Sequence, residues 1–274
     1  MTTAKVFAPA KINLSLHVTG QREDGYHLLD SFVAFADVGD TIWVRKSNAT
    51  TINISGPMAQ GVPADESNLA MMAARLLGVD VDITLEKCLP MAAGIGGGSS
   101  NAAAVINGIE QLNGQVFAGD TSVLGADVPM CKKGTAARVQ SIGDHIETMA
   151  LPRLFAVLVN PGVPVSTVSV FKALAQKSNP PMSELPQQAP STQEFCAWLR
   201  EQRNDLEAPA IALCPQINDV LRALSLTTGQ LCYRMSGSGA TCFALFDDPG
   251  LAELAALDLE KVHPEWWVRD CALS

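Results

Sequence analysis

Residues 90–104, from Pro90 to Ala104, read PMAAGIGGGSSNAAA, and the reading of this stretch decides the fold. Glycines stand at Gly94, Gly96, Gly97 and Gly98, followed at once by Ser99, Ser100 and Asn101. Glycine tolerates positive φ and lets another group approach the backbone closely. Ser99 or Ser100 is suited to cap a helix. Asn101–Leu112 has helical spacing, with Val105, Ile109 and Leu112 on one face. A glycine loop that opens a helix turns unpaired N–H groups toward one point and makes an anion site. The competing reading is a flexible turn before an ordinary helix, since Gly/Ser clusters usually mark loops. Three consecutive glycines between apolar runs, and the alanines after Asn101, weigh against that reading. The stretch is not a Walker loop, because no Lys-Ser or Lys-Thr follows the last glycine. Nor is it a dinucleotide fingerprint, whose third glycine would fall at Ser99.

Upstream, Ile12, Leu14, Leu16 and Val18 alternate with polar residues and predict a strand that begins after Pro9, with Lys11 at its start. Residues 21–27 read as a turn, and Leu28–Ala36 and Asp40–Lys46 as two strands bent at Val38-Gly39-Asp40. A short strand is expected at Thr51–Ile54. Ser67 is expected to cap a helix over Asn68–Leu77, with Leu69, Met72, Ala73 and Leu76 buried. A strand over Val79–Glu86 then feeds the glycine loop.

Downstream, Gly125-Ala126-Asp127-Val128-Pro129 places a lone acid among small and apolar residues, where a plain turn aspartate is the commoner fate. A hairpin over 135–148 turns at Gly143-Asp144. A domain boundary falls near Leu151-Pro152, giving domains 1–152 and 153–274. The second holds a strand at Leu154–Val159 and helices at Phe195–Gln202 and Gln216–Leu224. Strands at Gln230–Met235 and Thr241–Phe246 flank the small-residue loop Ser236–Gly239. A helix over Pro249–Lys261 and a strand over Trp266–Ala272 follow. That order suits a split βαβ sandwich. Residues 176–192, rich in Pro, Ser and Gln, are expected to form a long exposed loop.

The bulk composition narrows the function classes. The chain has 274 residues, 47% of them apolar, enough for a sizeable core. A net charge of −9 without any basic run argues against a nucleic-acid groove or an anionic membrane as partner. An anionic substrate must therefore find a locally positive site. The seven cysteines include no CxxC and several lie in apolar runs, so buried thiols in a reducing, cytoplasmic setting are expected. The four histidines show no metal-ligand spacing. The N-terminus carries no signal-peptide pattern, and no window reaches the ~20 apolar residues a membrane span needs.

Three stretches coincide in order along the chain: PAKINLSLHVTGQREDGYH, PMAAGIGGGSSNAAA and MSGSGATCFALF. Together they resemble the three motifs of the GHMP kinases, which include galactokinase, homoserine kinase and mevalonate kinase. Asp24-Gly25-Tyr26-His27, Leu124–Pro129 and Asn204-Asp205-Leu206-Glu207 are similar to a narrower branch whose substrate is a cytidine diphosphate-linked methylerythritol. The resemblance implies an α+β fold of two domains: an N-terminal nucleotide-binding α/β sandwich and a C-terminal ferredoxin-like split βαβ domain, with the active site in a cleft. It implies ATP and Mg²⁺, and transfer of the γ-phosphate to the 2-hydroxyl of the methylerythritol, a step toward isoprenoid precursors.

The residue roles follow the same resemblance. Asp127 matches the family's general base. Lys11 matches the catalytic lysine that sits beside it and offsets charge on the transferred group. Pro90, Met91, Ala92, Ala93, Gly94, Ile95, Gly96, Gly97, Gly98, Ser99 and Ser100 match the nucleotide loop, and Asn68 a position near adenine, with a plain helix cap as a close second reading. Tyr26 matches the aromatic that stacks on cytosine, with His27 beside it for polar contacts. Phe171 is placed as the second face or else is core filler, and Asn13 matches a position touching the methylerythritol. The Gly237–Gly239 loop would face phosphates or substrate, or else form a tight hairpin. No protein ligand for the metal and no obligate protein partner are implied. Ala92 and Ala93 stand where relatives often have glycine, and Ile95 where leucine is usual. Another small-molecule kinase of the family, or a non-catalytic nucleotide-binding module, are the alternatives.

Overall fold

The computed structural model describes residues 2–184 and 190–274. Contacts divide the chain into two units interleaved along the sequence. One holds the residues up to Lys11 together with Val38–Met91 and Gly96–Gly134; the other holds Ile12–Asp37, Ala92–Ile95 and Thr135–Ser274.

The first unit begins with the leading half of β1 (Thr3–Gln21) and takes the trailing half of β2 (His27–Lys46). To these it adds β3 (Thr51–Ser55), α1 (Leu69–Leu76), β4 (Val81–Glu86), α2 (Gly97–Asn113) and α3 (Val128–Lys133). β4 runs antiparallel to β2, from Thr41 opposite Glu86 to Lys46 opposite Val81, and β3 lies parallel to β4. Val81, Ile83 and Leu85 face the core by simple alternation. α2 is buried almost all round from Ser100 to Ile109, which its small side chains allow.

Several boundaries differ from the sequence reading, each for a local reason. β1 starts at Thr3 rather than after Pro9. Proline gives up only its N–H, and the Pro9 carbonyl accepts the Ser100 hydroxyl at 2.7 Å. The two strands expected over 28–46 are one continuous β2. Asn68, not Ser67, caps α1: its side chain accepts the Ala70 N–H at 2.9 Å, while the Ser67 hydroxyl is turned to Asp65. The buried face of α1 is Ala70, Met71, Ala73 and Ala74, so the expected stripe is rotated, and Met72 is exposed. α2 starts within the glycines, with Gly96 at its cap position, and both serines lie inside the helix.

The second unit contains the remaining parts of β1 and β2, the hairpin β5 (Ala137–Ser141) and β6 (His145–Thr148), and β7 (Leu154–Asn160). Then come α4 (Thr167–Ala173), α5 (Thr192–Arg200), α6 (Glu207–Leu213), α7 (Gln216–Ser225), β8 (Cys232–Met235), β9 (Cys242–Phe246), α8 (Pro249–Val262) and β10 (Trp267–Leu273). β7, β8, β9 and β10 pair in the spatial order β10-β7-β9-β8, all antiparallel. Fourth, first, third, second is the strand order of the split βαβ sandwich anticipated from the element order. Val157, Val159, Ile217, Leu224, Phe246 and Leu259 belong to its core.

α4 and α6 are absent from the sequence reading. β-branched Thr167, Val168 and Val170 mask the helical pattern of α4. The expected exposed loop over 176–192 is corrected in part. Met182 is buried, and its N–H donates to Asp30, which also takes a two-pronged bond from Arg138. Residues 185–189 of that stretch lie outside the described residues. No described helix is long and apolar enough to cross a membrane. Six of the seven cysteines are buried, and none forms a disulfide.

Candidate active site

In the first unit, the chemistry gathers where α2 begins. Ser100 N–H to the Gly96 carbonyl is the first bond of the helical ladder, so the amides of Gly97, Gly98 and Ser99 precede it. Gly96 sits at φ +64°, a conformation that favours glycine, and a Cβ there would lie 3.1 Å from the Lys11 stem. The Lys11 chain thus runs across the bare backbone of the loop. Its ammonium reaches Asp127 Oδ2 at 2.8 Å. No acidic side chain lies in the first turn of α2, so the positive end of the helix is not offset from within.

Asp127 occupies the cap position of α3 but makes no capping bond with its side chain, because its backbone is already helical. Its carboxylate is given to Lys11 instead and stays 38% exposed, while the Lys11 side chain is 8% exposed. A buried cation thus holds a carboxylate that solvent or a ligand can still reach, which suits a proton acceptor. Cys131, one turn further along α3, is a different case. Burial, then the Asp127 charge, pushes its thiol up to about 12, which rules it out as a nucleophile near neutrality.

Mg²⁺ takes most of its shell from phosphate oxygens and water and needs only one or two protein oxygens. No cluster of three or more His, Cys, Asp or Glu side chains able to hold a metal occurs among the described residues. An ion held by protein ligands alone does not fit. An ion carried on phosphates fits, since the half-buried Ser99 hydroxyl stands at the helix start.

Of the expected nucleotide residues, Ala92, Ala93, Gly94 and Ile95 pack within the second unit. The Ala92 and Ala93 carbonyls accept the Val165 and Thr241 N–H groups at 3.3 and 3.1 Å, and Ile95 is buried. Asn68 uses both ends of its amide locally, accepting from Ala70 and donating to the Pro63 carbonyl at 2.7 Å. The cap reading of Asn68 is therefore the one the structure displays.

The second unit builds a polar notch around Asn13. Its N–H donates to the Ser236 hydroxyl at 3.0 Å, and that hydroxyl donates to the Gly94 carbonyl at 3.0 Å. The Asn13 side-chain NH₂ donates to Ser31 at 2.8 Å, which fixes the amide and leaves its Oδ1 buried with no hydrogen-bond partner. A Cβ at Gly237 would stand 2.7 Å from the Gly94 carbonyl and 3.2 Å from that Oδ1. The Gly237 loop is therefore a tight backbone contact, held from behind. The Asn204 amide donates to the Met235 and Gly237 carbonyls at 2.8 and 2.9 Å, and Glu207 accepts the Met235 N–H at 3.0 Å. These supports come from the run Asn204–Glu207, visible in the sequence as a motif but not readable there as a brace.

The expected base-binding residues are only partly brought together. Phe171, on α4, stacks on His27 with ring centroids 4.7 Å apart and 26° between planes. Its ring neighbour is thus the histidine, not Tyr26, which is 63% exposed. His27 Nε2 is buried without a hydrogen-bond partner, and burial, then the Lys177 charge, lowers the His27 pKa. The ring is therefore neutral near pH 7, with one nitrogen able to donate and the other to accept.

The family model for the GHMP kinases N terminal domain matches residues 68–134, and that for GHMP kinases C terminal matches 184–265. A protein of Dinoroseobacter shibae named 4-diphosphocytidyl-2-C-methyl-D-erythritol kinase is 53% identical over 97% of this chain and 94% of its own length. One of the same name from Ruegeria pomeroyi is 52% identical over 96% of each. A crystal structure of 4-(cytidine 5'-diphospho)-2C-methyl-D-erythritol kinase superposes with a TM-score of 0.77 at 32% identity, covering 98% of this chain and 99% of the other. A homoserine kinase from Cytophaga hutchinsonii shares the fold, with a TM-score of 0.69 at 21% identity over 99% of this chain and 95% of its own. Two family models in chain order, relatives of near-equal length and a paired lysine and aspartate at a glycine-rich helix start converge on one conclusion: the chain belongs to the GHMP kinase family.

Proposed function

We propose that this chain transfers the γ-phosphoryl group of ATP to the 2-hydroxyl of 4-diphosphocytidyl-2-C-methyl-D-erythritol, giving the 2-phosphate and ADP on the route to isoprenoid precursors. The observation that carries the reading is the Lys11–Asp127 pair beside the open amides of α2, in a chain with near-full-length relatives named for that kinase. Asp127 accepts the hydroxyl proton as the new O–P bond forms. The bond from phosphorus to the bridging oxygen breaks, and ADP leaves with the electron pair. The amides of Gly97, Gly98 and Ser99 hold phosphate oxygens with dipoles already aimed, so little reorganisation is needed as charge shifts. Lys11 keeps Asp127 in place and offsets charge on the transferred group. The Ser99 hydroxyl would offer a protein oxygen to an Mg²⁺ ion bound with the nucleotide, which would neutralise part of the phosphate charge.

Unpartnered Asn13 Oδ1 is an acceptor awaiting a donor, which a substrate hydroxyl supplies. Tyr26, His27 and Phe171 receive the cytosine, Tyr26 and Phe171 by stacking and His27 through its ring nitrogens. In chain order, 1–152 is the nucleotide-binding domain and 153–274 the substrate domain, with Ile12–Asp37 packing alongside the latter.

ADP release measured with the cytidine substrate, mevalonate and homoserine as separate acceptors tests the reading. Turnover confined to the cytidine substrate is expected. Preference for either other alcohol would make the chain a different kinase of the family, and no turnover with any would make it a binding module.

A further inference from the structure

A second lysine lies under the glycine loop, and the mechanism above leaves it unused. Lys87, the first residue after β4, is 4% exposed, and its partner Asp40 is fully buried. The ammonium donates to Asp40 Oδ2 at 2.6 Å and to the Leu89 carbonyl at 2.7 Å. Asp40 Oδ1 in turn accepts the N–H groups of Cys88 and Leu89 at 2.7 and 2.9 Å. One carboxylate from β2 therefore grips the backbone of the two residues that precede Pro90, where the chain turns into the loop.

The ammonium also lies against the helix that follows the loop. A Cβ at Gly97, the first residue of α2, would stand 3.4 Å from Lys87 Nζ and 3.8 Å from Leu89. A cation beside a helix N-terminus is electrostatically unfavourable by itself, because both are positive. Burial likewise works against the charged form of Lys87, with Asp40 acting the other way. Two of the three ammonium hydrogens are engaged, by Asp40 and Leu89. An anion at the start of α2 would relieve the repulsion between that helix end and the ammonium.

We propose that the buried Asp40–Lys87 pair is a positioning element for the phosphates of the nucleotide, Asp40 fixing how the chain turns into the loop and Lys87 adding positive charge beneath Gly97. The proposal rests on the nucleotide role given to this loop above. A pair that merely props the fold would affect all nucleoside ligands alike; a pair acting on phosphates discriminates by phosphate number.

The test compares ATP and adenosine binding by calorimetry in the wild type, in Lys87→Met and in the double variant Asp40→Asn/Lys87→Met. The double variant keeps an acceptor for the Cys88 and Leu89 amides and leaves no buried charge unpaired, so it retains the fold should the single variant lose it. ATP affinity is expected to fall about tenfold while adenosine affinity changes less than about twofold, in line with the loss of one charged partner of a phosphate chain. Equal losses for both ligands, or no loss of ATP affinity, would overturn the proposal. Wild-type turnover of the cytidine substrate, run in parallel, judges the kinase reading separately. Its failure would leave the ratio of the two affinities still informative about the pair.

Discussion

At the scale of single residues, the site depends on where a few polar atoms are left unengaged. Asp127 is half-open and bonded to one cation, so replacing it by asparagine removes a proton acceptor without emptying the space. Asp127→Asn is expected to lower kcat by about 10²–10⁴-fold with ATP affinity near wild type, read from single-turnover rates and calorimetry. Turnover close to wild type would remove Asp127 as the base. Tyr26 is exposed, so Tyr26→Ala should leave Tm unchanged while raising KM for the cytidine substrate by about tenfold, the value of one stacked base, and KM for ATP far less. An equal rise in both constants would take Tyr26 out of the base site. Lys11 and Asp127 are separated by 116 positions, and neither stands out by residue type alone. They were legible only because each lies in a motif. Lys87 and Asp40 lie in none, and nothing in composition distinguishes a buried ion pair from two solvated charges.

At the scale of elements, alternation and glycine placement carried most of the reading. β4, β7 and β9 bury their faces as their sequences imply, whereas α4 and α6 are short, and tertiary packing overrides their weak local pattern. The helix start was misplaced by the serines because Ser100 turns its hydroxyl to the Pro9 carbonyl rather than to its own helix. The loop over Ser236–Gly239 is a tight backbone contact. Its glycine at 237 has φ +55° and lies backbone to backbone against Gly94, with the Asn13 amide alongside. Gly237→Ala adds a methyl group where both φ and space forbid it. A stability loss of about 1–3 kcal/mol is expected, together with a raised KM for the alcohol, because Asn13 must move. Chemical denaturation and steady-state kinetics read the two effects. An unchanged KM would mean the notch at Asn13 takes no part in binding.

At the scale of the whole molecule, the order of strands was legible and the interleaving of the two units was not. Long strands β1 and β2 each contribute to both, so no composition shift marks the division. The same interleaving ties distant segments through His17, which sits on β1 and is almost fully buried in the second unit. Its Nε2 accepts the Arg203 N–H at 2.9 Å, which assigns the ring proton to Nδ1, 3.2 Å from the Pro180 carbonyl. Burial, then the Arg203 charge, lowers the His17 pKa below 6.5. Unfolded chains take up a proton at this position as pH falls through about 6.5, while the folded chain does not, so the unfolded state gains and stability drops. Above that pH both states are neutral, and the contribution is flat. Urea denaturation from about pH 7.5 to about pH 5.5 should therefore show stability falling with acidification, with a shallower slope in His17→Gln, whose amide does not titrate. His27, also depressed, contributes in the same direction and leaves a residual slope in that variant. An identical slope in wild type and variant would mean that His17 is protonated equally in both states, and that the bond from Arg203 to its ring nitrogen is not made in solution.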